Sequence, residues 1–221
     1  MNWLRRHKHS LLLTLLIVGM LVQPIAGLVV ELAGYVTMLA VFVVVFERRW
    51  EQYVGLALGV PAIAFSAAGY LSLGSYELPI SVASQVAMIV FLGFAIARIL
   101  ADILQDRAIR LDDVIGAFSG FVLIGLAWGR LYLLIDGVLP TSFHIETEMT
   151  GNLHEVQLRR FLFNHFSFAM LTPMDPGGVT PATPFVRTLT WAEALLGQFY
   201  LAVFIGQLVG ARVEKSRVPD D

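Results

Sequence analysis

No cysteine occurs among the 221 residues, so the chain has neither a disulfide framework nor a thiolate metal site, and nothing in it marks a redox compartment. Charge is scarce too: Asp, Glu, Lys and Arg make up 14% of the chain, against about 25% in soluble domains. A net charge of -2 provides no clustered basic surface for phosphates, which excludes nucleic acid as a partner. The chain has no serine nucleophile elbow, no His-Glu-x-x-His run and no paired intramembrane aspartates, so it reads as a non-enzyme. Apolar residues dominate instead. With 57% hydrophobic residues and a mean hydropathy of +0.74, the chain reads as an integral membrane protein of the all-α class.

A helix crosses a bilayer in about 20 predominantly apolar residues. Six segments approach that length: 10–25, 28–46, 53–71, 80–104, 114–135 and 188–209. The first two join through Gln23 and Pro24, which read as a turn. Arg5, Arg6 and Lys8 ahead of an apolar run imitate a secretory signal, but Pro24, Ile25 and Ala26 make a poor small-x-small cleavage site and further helices follow. The first segment therefore reads as a retained helix. Six crossings place Arg5, Arg6, Lys8, Arg48, Arg49, Arg107, Arg110, Arg212, Lys215 and Arg217 on one side, which the positive-inside rule makes cytoplasmic. The expectation is a multi-pass cell-membrane protein with both termini in the cytoplasm.

Residues 136–184 form an outer stretch too long for an ordinary connection, and within it lies the apolar run 161–171. Eleven residues do not span a bilayer, so the run reads as a re-entrant or buried interfacial helix between the fifth and sixth crossings. A loop rich in Pro, Gly and Thr follows Leu171, and irregular backbone at membrane depth survives only where protein or a water-filled cavity surrounds it.

Residues 166–172 read Phe-Ser-Phe-Ala-Met-Leu-Thr, 180–188 read Thr-Pro-Ala-Thr-Pro-Phe-Val-Arg-Thr, and 193–203 read Glu-Ala-Leu-Leu-Gly-Gln-Phe-Tyr-Leu-Ala-Val. In these flanks, and in the order helix, short helix, loop, helix, residues 114–212 resemble the pore module of tetrameric potassium channels. The resemblance is in particular to the small prokaryotic six-helix members of the two-transmembrane-type ion-channel family. The resemblance implies one pore loop per chain, a homotetramer about a central axis, and monovalent cations as permeant ions with no other cofactor. It places the filter at Thr172, Pro173, Met174, Asp175, Pro176, Gly177 and Gly178, and has Glu193 brace the loop or the short helix. Residues 1–112 then form a four-helix scaffold in the position of a voltage sensor, 113–212 the pore module, and 213–221 a cytoplasmic tail.

The filter itself departs from the family. Where relatives carry Thr-Leu-Gly-Tyr-Gly-Asp, this chain has Pro173 to Gly178 and keeps only Gly177. A potassium filter lines up backbone carbonyls in place of the ion's hydration shell, and its glycines take φ values closed to most residues. Asp175 stands at the first of those glycines, and Pro176 after it favours extended backbone. Pro173 and Pro176 each remove an amide donor. Three readings stay open: a wider cation pore with a ring of Asp175 carboxylates, a closed loop in a non-conducting relative, and a plain proline turn.

Other charged residues have structural readings beside functional ones. Arg98 stands one turn before Asp102, and Arg130 lies near Asp136, so pairing or snorkelling accounts for both. Residues 80–104 offer only Arg98, whereas voltage sensing takes several arginines at helical spacing. The first four helices therefore read as a scaffold with a lipid or partner surface. His144, Glu146, Glu148, His154 and Glu155 have no tight ligand spacing, so they read as a solvated, cation-enriching turret and no metal site is expected. His165 reads as a packed or capped side chain. Gly197, Gly206 and Gly210 in the last helix allow bending or close packing, with Gly197 and Gly206 as hinge candidates.

The arginine census makes a topology prediction. Tags at either terminus should stay shielded from a non-permeant label applied to intact cells, while labels at Glu146 and Gly151 react. Termini reached from outside would overturn the six-crossing scheme.

Overall fold

The computed structural model describes residues 8–22, 36, 39, 48–71, 78–105, 111–146, 155–172 and 174–217. Apart from the isolated helical positions Val36 and Leu39, these form α1 Lys8–Val22, α2 Arg49–Leu71, α3 Leu78–Gln105, α4 Leu111–Val138, α5 Glu155–Leu171 and α6 Pro184–Arg217. Two three-residue strands, β1 Phe143–Ile145 and β2 Val179–Pro181, pair antiparallel. The all-helical class holds. Among the described residues three stretches are long and apolar enough to cross a membrane: Pro79–Ile103 in α3, Val114–Val138 in α4 and Pro184–Gln207 in α6. Apart from Val36 and Leu39, the expected span at 28–46 lies outside the described residues, as does the turn at Gln23 and Pro24.

The helices outrun their apolar stretches because helical hydrogen-bonding continues into the polar residues at their ends. α6 starts at Pro184 rather than at Thr188. Thr183 caps it: its Oγ1 accepts from the Val186 amide at 3.4 Å and its carbonyl from the Arg187 amide at 3.0 Å, while Pro184 fills the first-turn position where no donor is needed. α5 begins at Glu155, ahead of the apolar run at Phe161, because its polar first turns stay helical.

α4 is the central helix, touching α1, α3, α5 and α6. Its sequence shows why. Gly116 and Gly120, then Gly125 and Gly129, are two small-xxx-small pairs that let neighbours approach the backbone. The His9 ring of α1 seats on Gly116, the Tyr200 hydroxyl of α6 on Gly120, the Phe168 ring of α5 on Gly125 and Asn164 on Gly129. One apolar core joins α1, α2, α3 and α4 around Leu16, Phe91, Leu92, Ile99 and Leu123. A second joins α4, α5, α6 and both strands around Tyr132, Phe143, Phe163, Phe166, Val179 and Val186. There the rings meet edge to face, Phe143 with Phe163 at 4.9 Å and Tyr132 with Phe166 at 5.2 Å between centroids.

These contacts fix helix directions. Phe168 on Gly125 and Asn164 on Gly129 make α5 antiparallel to α4. Ser167 bonded to Glu193, and Leu171 against Gly197, make it parallel to α6. α5 therefore ends beside the middle of α6, and the chain climbs back about 20 Å to begin α6 at Pro184, taking ~1.5 Å per helical residue.

Two charge pairings differ from the sequence expectation. Arg98 does not pair with Asp102: its Nη2 lies 2.6 Å from Oε1 of the buried Glu51 on α2. Asp102 instead faces His9 of α1, 4.0 Å from Nε2. Arg130 is buried and does not pair with Asp136, whose carboxylate bonds Arg159 of α5. For Arg98, Asp102 and Asp136 a neighbouring helix presents the better partner, which spacing along one helix does not reveal.

Arg98→Met strands the Glu51 carboxylate and should lower stability in detergent by about 3–5 kcal/mol, with Glu51→Leu in the same chain restoring most of it. A single-variant loss under about 1 kcal/mol, or no recovery in the double variant, contradicts the pairing.

Candidate functional site

The site is the junction of α4, α5 and α6 with the loop that leaves Leu171. Its base is helical: the Thr172 amide and hydroxyl both bond the Phe168 carbonyl, at 3.0 and 2.6 Å, closing the last turn of α5. Pro173 lies outside the described residues. The Met174 amide bonds the Thr172 carbonyl at 2.7 Å, and Met174 and Asp175 are exposed. Among the described residues positive φ occurs only at Thr141, Gly177 (65°) and Gly178 (79°). Asp175 is not left-handed, in keeping with the extended bias that Pro176 imposes. The two glycines supply the turn that Asp175 does not.

The return limb is held on both sides. A Cβ at Gly177 would stand 2.7 Å from the His165 ring of α5, so only glycine fits both the space and the φ. The Gly178 carbonyl accepts from the Glu146 amide at 2.9 Å, and Val179, Thr180 and Pro181 then pair with Ile145, His144 and Phe143. Beyond them the Ala182 amide bonds the Ser142 carbonyl at 2.9 Å. Because His165 lies six residues before Leu171 on α5, the chain from Leu171 to Gly177 rises only about 9 Å. Extended backbone would cover about 20 Å in the same residues. The loop is folded on itself.

Beneath the loop sits a buried polar cluster. Glu193, fully shielded in α6, takes the Tyr132 hydroxyl of α4 on Oε2 at 2.5 Å. Its Oε1 lies 2.5 Å from Ser167 Oγ of α5, which also lies 2.8 Å from the Gly125 carbonyl of α4. One carboxyl thus fastens three helices, and it reaches the short helix rather than the loop. Four residues later, Gly197 meets the backbone at the end of α5: a Cβ there would stand 2.9 Å from the Leu171 carbonyl oxygen. Gly197 is a close-packing position, whereas Gly206 has open space around it. Lower still, the Tyr200 hydroxyl bonds the Ala117 carbonyl at 2.5 Å.

At the strand end of the bundle His144 and Glu146 are exposed. Glu148 and His154 fall outside the described residues, and Glu155 opens α5. Among the described residues no three His, Cys, Asp or Glu side chains gather as metal ligands. His165 packs between Phe161 and Gly177.

No protein-family model, curated protein or solved structure matches this chain. Its site is therefore read from its own geometry.

Sequence reasoning singled out Glu193 but not its donors. The signal was available: a carboxyl in an apolar helix needs hydrogen-bond partners, and hydroxyls are few in residues 114–135 and 161–171. Ser119, Tyr132 and Ser167 are the candidates in those stretches. The strand pair had no comparable signal, being only three residues long on each side.

Glu193→Leu leaves the Tyr132 hydroxyl unpaired and should destabilise the protein by about 1–3 kcal/mol. In a Tyr132→Phe background the same change should be smaller, giving a coupling of about 0.5–3 kcal/mol in a double-mutant cycle measured by unfolding in detergent. Additive losses would show that the two side chains do not act together.

Proposed function

We propose that this protein is a subunit of an ion channel, a cation channel related to potassium channels, in which α4, α5, the 172–178 loop and α6 form the pore module. The observation that carries the reading is the path of α5. It runs parallel to α6, stops against Gly197, and the chain returns to the start of α6, a path that supports reading it as a re-entrant helix and pore loop. Six crossings, cytoplasmic termini and assembly as a homotetramer belong to the same proposal, because one loop encloses no ion path alone. The exposure of most of α6 supports assembly: only 17% of its apolar stretch is buried, against 61% for α4.

Asp175, exposed on the loop, is the residue that selects cations in this reading. Four copies near an axis form a carboxylate ring, which attracts monovalent cations without the carbonyl geometry that discriminates potassium from sodium. A second reading, a non-conducting channel relative with an assembly or regulatory role, is favoured by the folded course of the loop and its seat on His165.

Single-channel recording of the purified protein in planar bilayers separates the two. The conducting reading expects cation currents with no preference for potassium over sodium, reduced in Asp175→Asn. Replacing Pro173–Gly178 with Thr-Leu-Gly-Tyr-Gly-Asp should then confer potassium selectivity. Silence in the parent alongside cross-linked tetramers supports the non-conducting relative. An Asp175→Asn channel indistinguishable from the parent overturns the carboxylate ring, and monomers or dimers in lipid overturn both readings.

A further inference from the structure

At the start of α2, away from the pore module, the chain reads Arg48, Arg49, Trp50, Glu51, Gln52, Tyr53. Glu51 is buried and held by Arg98 of α3 at 2.6 Å, with Arg48 Nε at 4.0 Å from the same oxygen. Two guanidinium groups, of Arg98 and Arg48, face one carboxylate, so the cluster keeps a net positive charge. Because Arg98 engages Glu51 closely, Arg48, 68% exposed, is left turned to the surroundings beside the exposed Arg49. Trp50 is half-exposed yet fixed: the Arg98 guanidinium lies 5.6 Å from its ring centroid, and Phe94 meets it edge-on at 6.4 Å. Below the basic end, Tyr53, Leu56 and Val60 are exposed at helical spacing, forming one apolar stripe down α2.

We propose that this end of α2 binds one anionic glycerophospholipid. Arg48 and Arg49 hold the headgroup phosphate, Trp50 and Tyr53 flank the glycerol region, and an acyl chain lies along Leu56 and Val60. Charge complementarity selects the occupant. A positive cluster whose arginines pair, among the described residues, with no acid but Glu51, capping an apolar stripe and collared by aromatics, fits a molecule that is negative at one end and hydrocarbon below. A zwitterionic lipid supplies the hydrocarbon without the net charge. Glu51 and Arg98 are positioning residues: their pairing keeps the carboxylate from neutralising Arg48 and holds the Trp50 ring. The site does not depend on conduction through the pore module.

The test uses the full chain in nanodiscs of phosphatidylcholine doped with phosphatidylglycerol, either lipid brominated on its acyl chains. The quenching lost between the parent and Trp50→Phe reports the lipid beside Trp50, and counting retained lipids by native mass spectrometry reports the same site without altering it. An arginine near an anionic lipid surface contributes about 1 kcal/mol, or about fivefold in affinity. Preference for phosphatidylglycerol should therefore be about 30-fold in the parent and drop about fivefold in Arg48→Gln and again in Arg49→Gln. Arg187→Gln, in the first turn of α6, should leave it unchanged. Equal quenching by both lipids, or a preference indifferent to Arg48→Gln and Arg49→Gln, overturns the proposal. So does displacement of the lipid by soluble glycerol phosphate, which identifies a free-phosphate site. The absence of native cysteine permits one more arm: Trp50→Cys that cross-links to a second copy in the bilayer shows this face covered by protein and overturns the lipid assignment.

Discussion

The carboxyl of Glu193 is the constraint on which the arrangement of α4, α5 and α6 rests. A carboxyl in an apolar helix is tolerated only with partners, and here each of its oxygens has a hydroxyl from a different helix. In low-dielectric surroundings such contacts are strong when made and damaging when lost, so they set the height and rotation of α6 against its neighbours. With that height fixed, Gly197 falls opposite the last residue of α5, where a glycine is the residue that lets the two backbones touch. The lower end of the 172–178 loop is thereby placed by a side chain that never meets the loop itself.

The upper end of the loop is placed by a different device. β1 follows α4 and β2 precedes α6, and their pairing ties the two helix ends together while stopping the return limb at Gly178. Seven residues then join two fixed points that are closer than their extended length, and the slack is taken up as turns. Two successive left-handed glycines and the Met174 to Thr172 bond are the form that the slack takes. The aromatic cluster under the strands, from Tyr132 through Phe143 to Phe163 and Phe166, makes this end rigid by edge-to-face packing. A loop held between rigid supports presents Met174 and Asp175 at its exposed surface.

The scaffold helices follow other rules. α1, α2 and α3 join α4 by apolar packing, and ionisable residues are matched between helices: Glu51 with Arg98, His9 with Asp102, Asp136 with Arg159. Pairs between helices fix relative rotation in a way that pairs along one helix do not. The small residues of α4 permit the close approach on which membrane helix association depends, since lipid tails give no hydrophobic drive between helices. Arg98 illustrates both points. Its charge stabilises a buried carboxylate, and its planar head lies over Trp50.

Composition and run length by themselves determined that this is a helical membrane protein, because satisfying every backbone group inside a bilayer leaves a mostly apolar chain few alternatives to helices. Local chemistry in the sequence also determined that Asp175 is not left-handed before Pro176 and that glycine is needed nearby, since both depend only on adjacent residues. The importance of Glu193 was legible from its charge in an apolar run. Tertiary structure alone decided its partners, the exchange of Asp102 and Asp136 to neighbouring helices, the strand pair, and the extension of α5 back to Glu155. Each of these depends on which faces of separate helices meet and at what height. Periodicity gives the faces of one helix and is silent on the rotation and register of two.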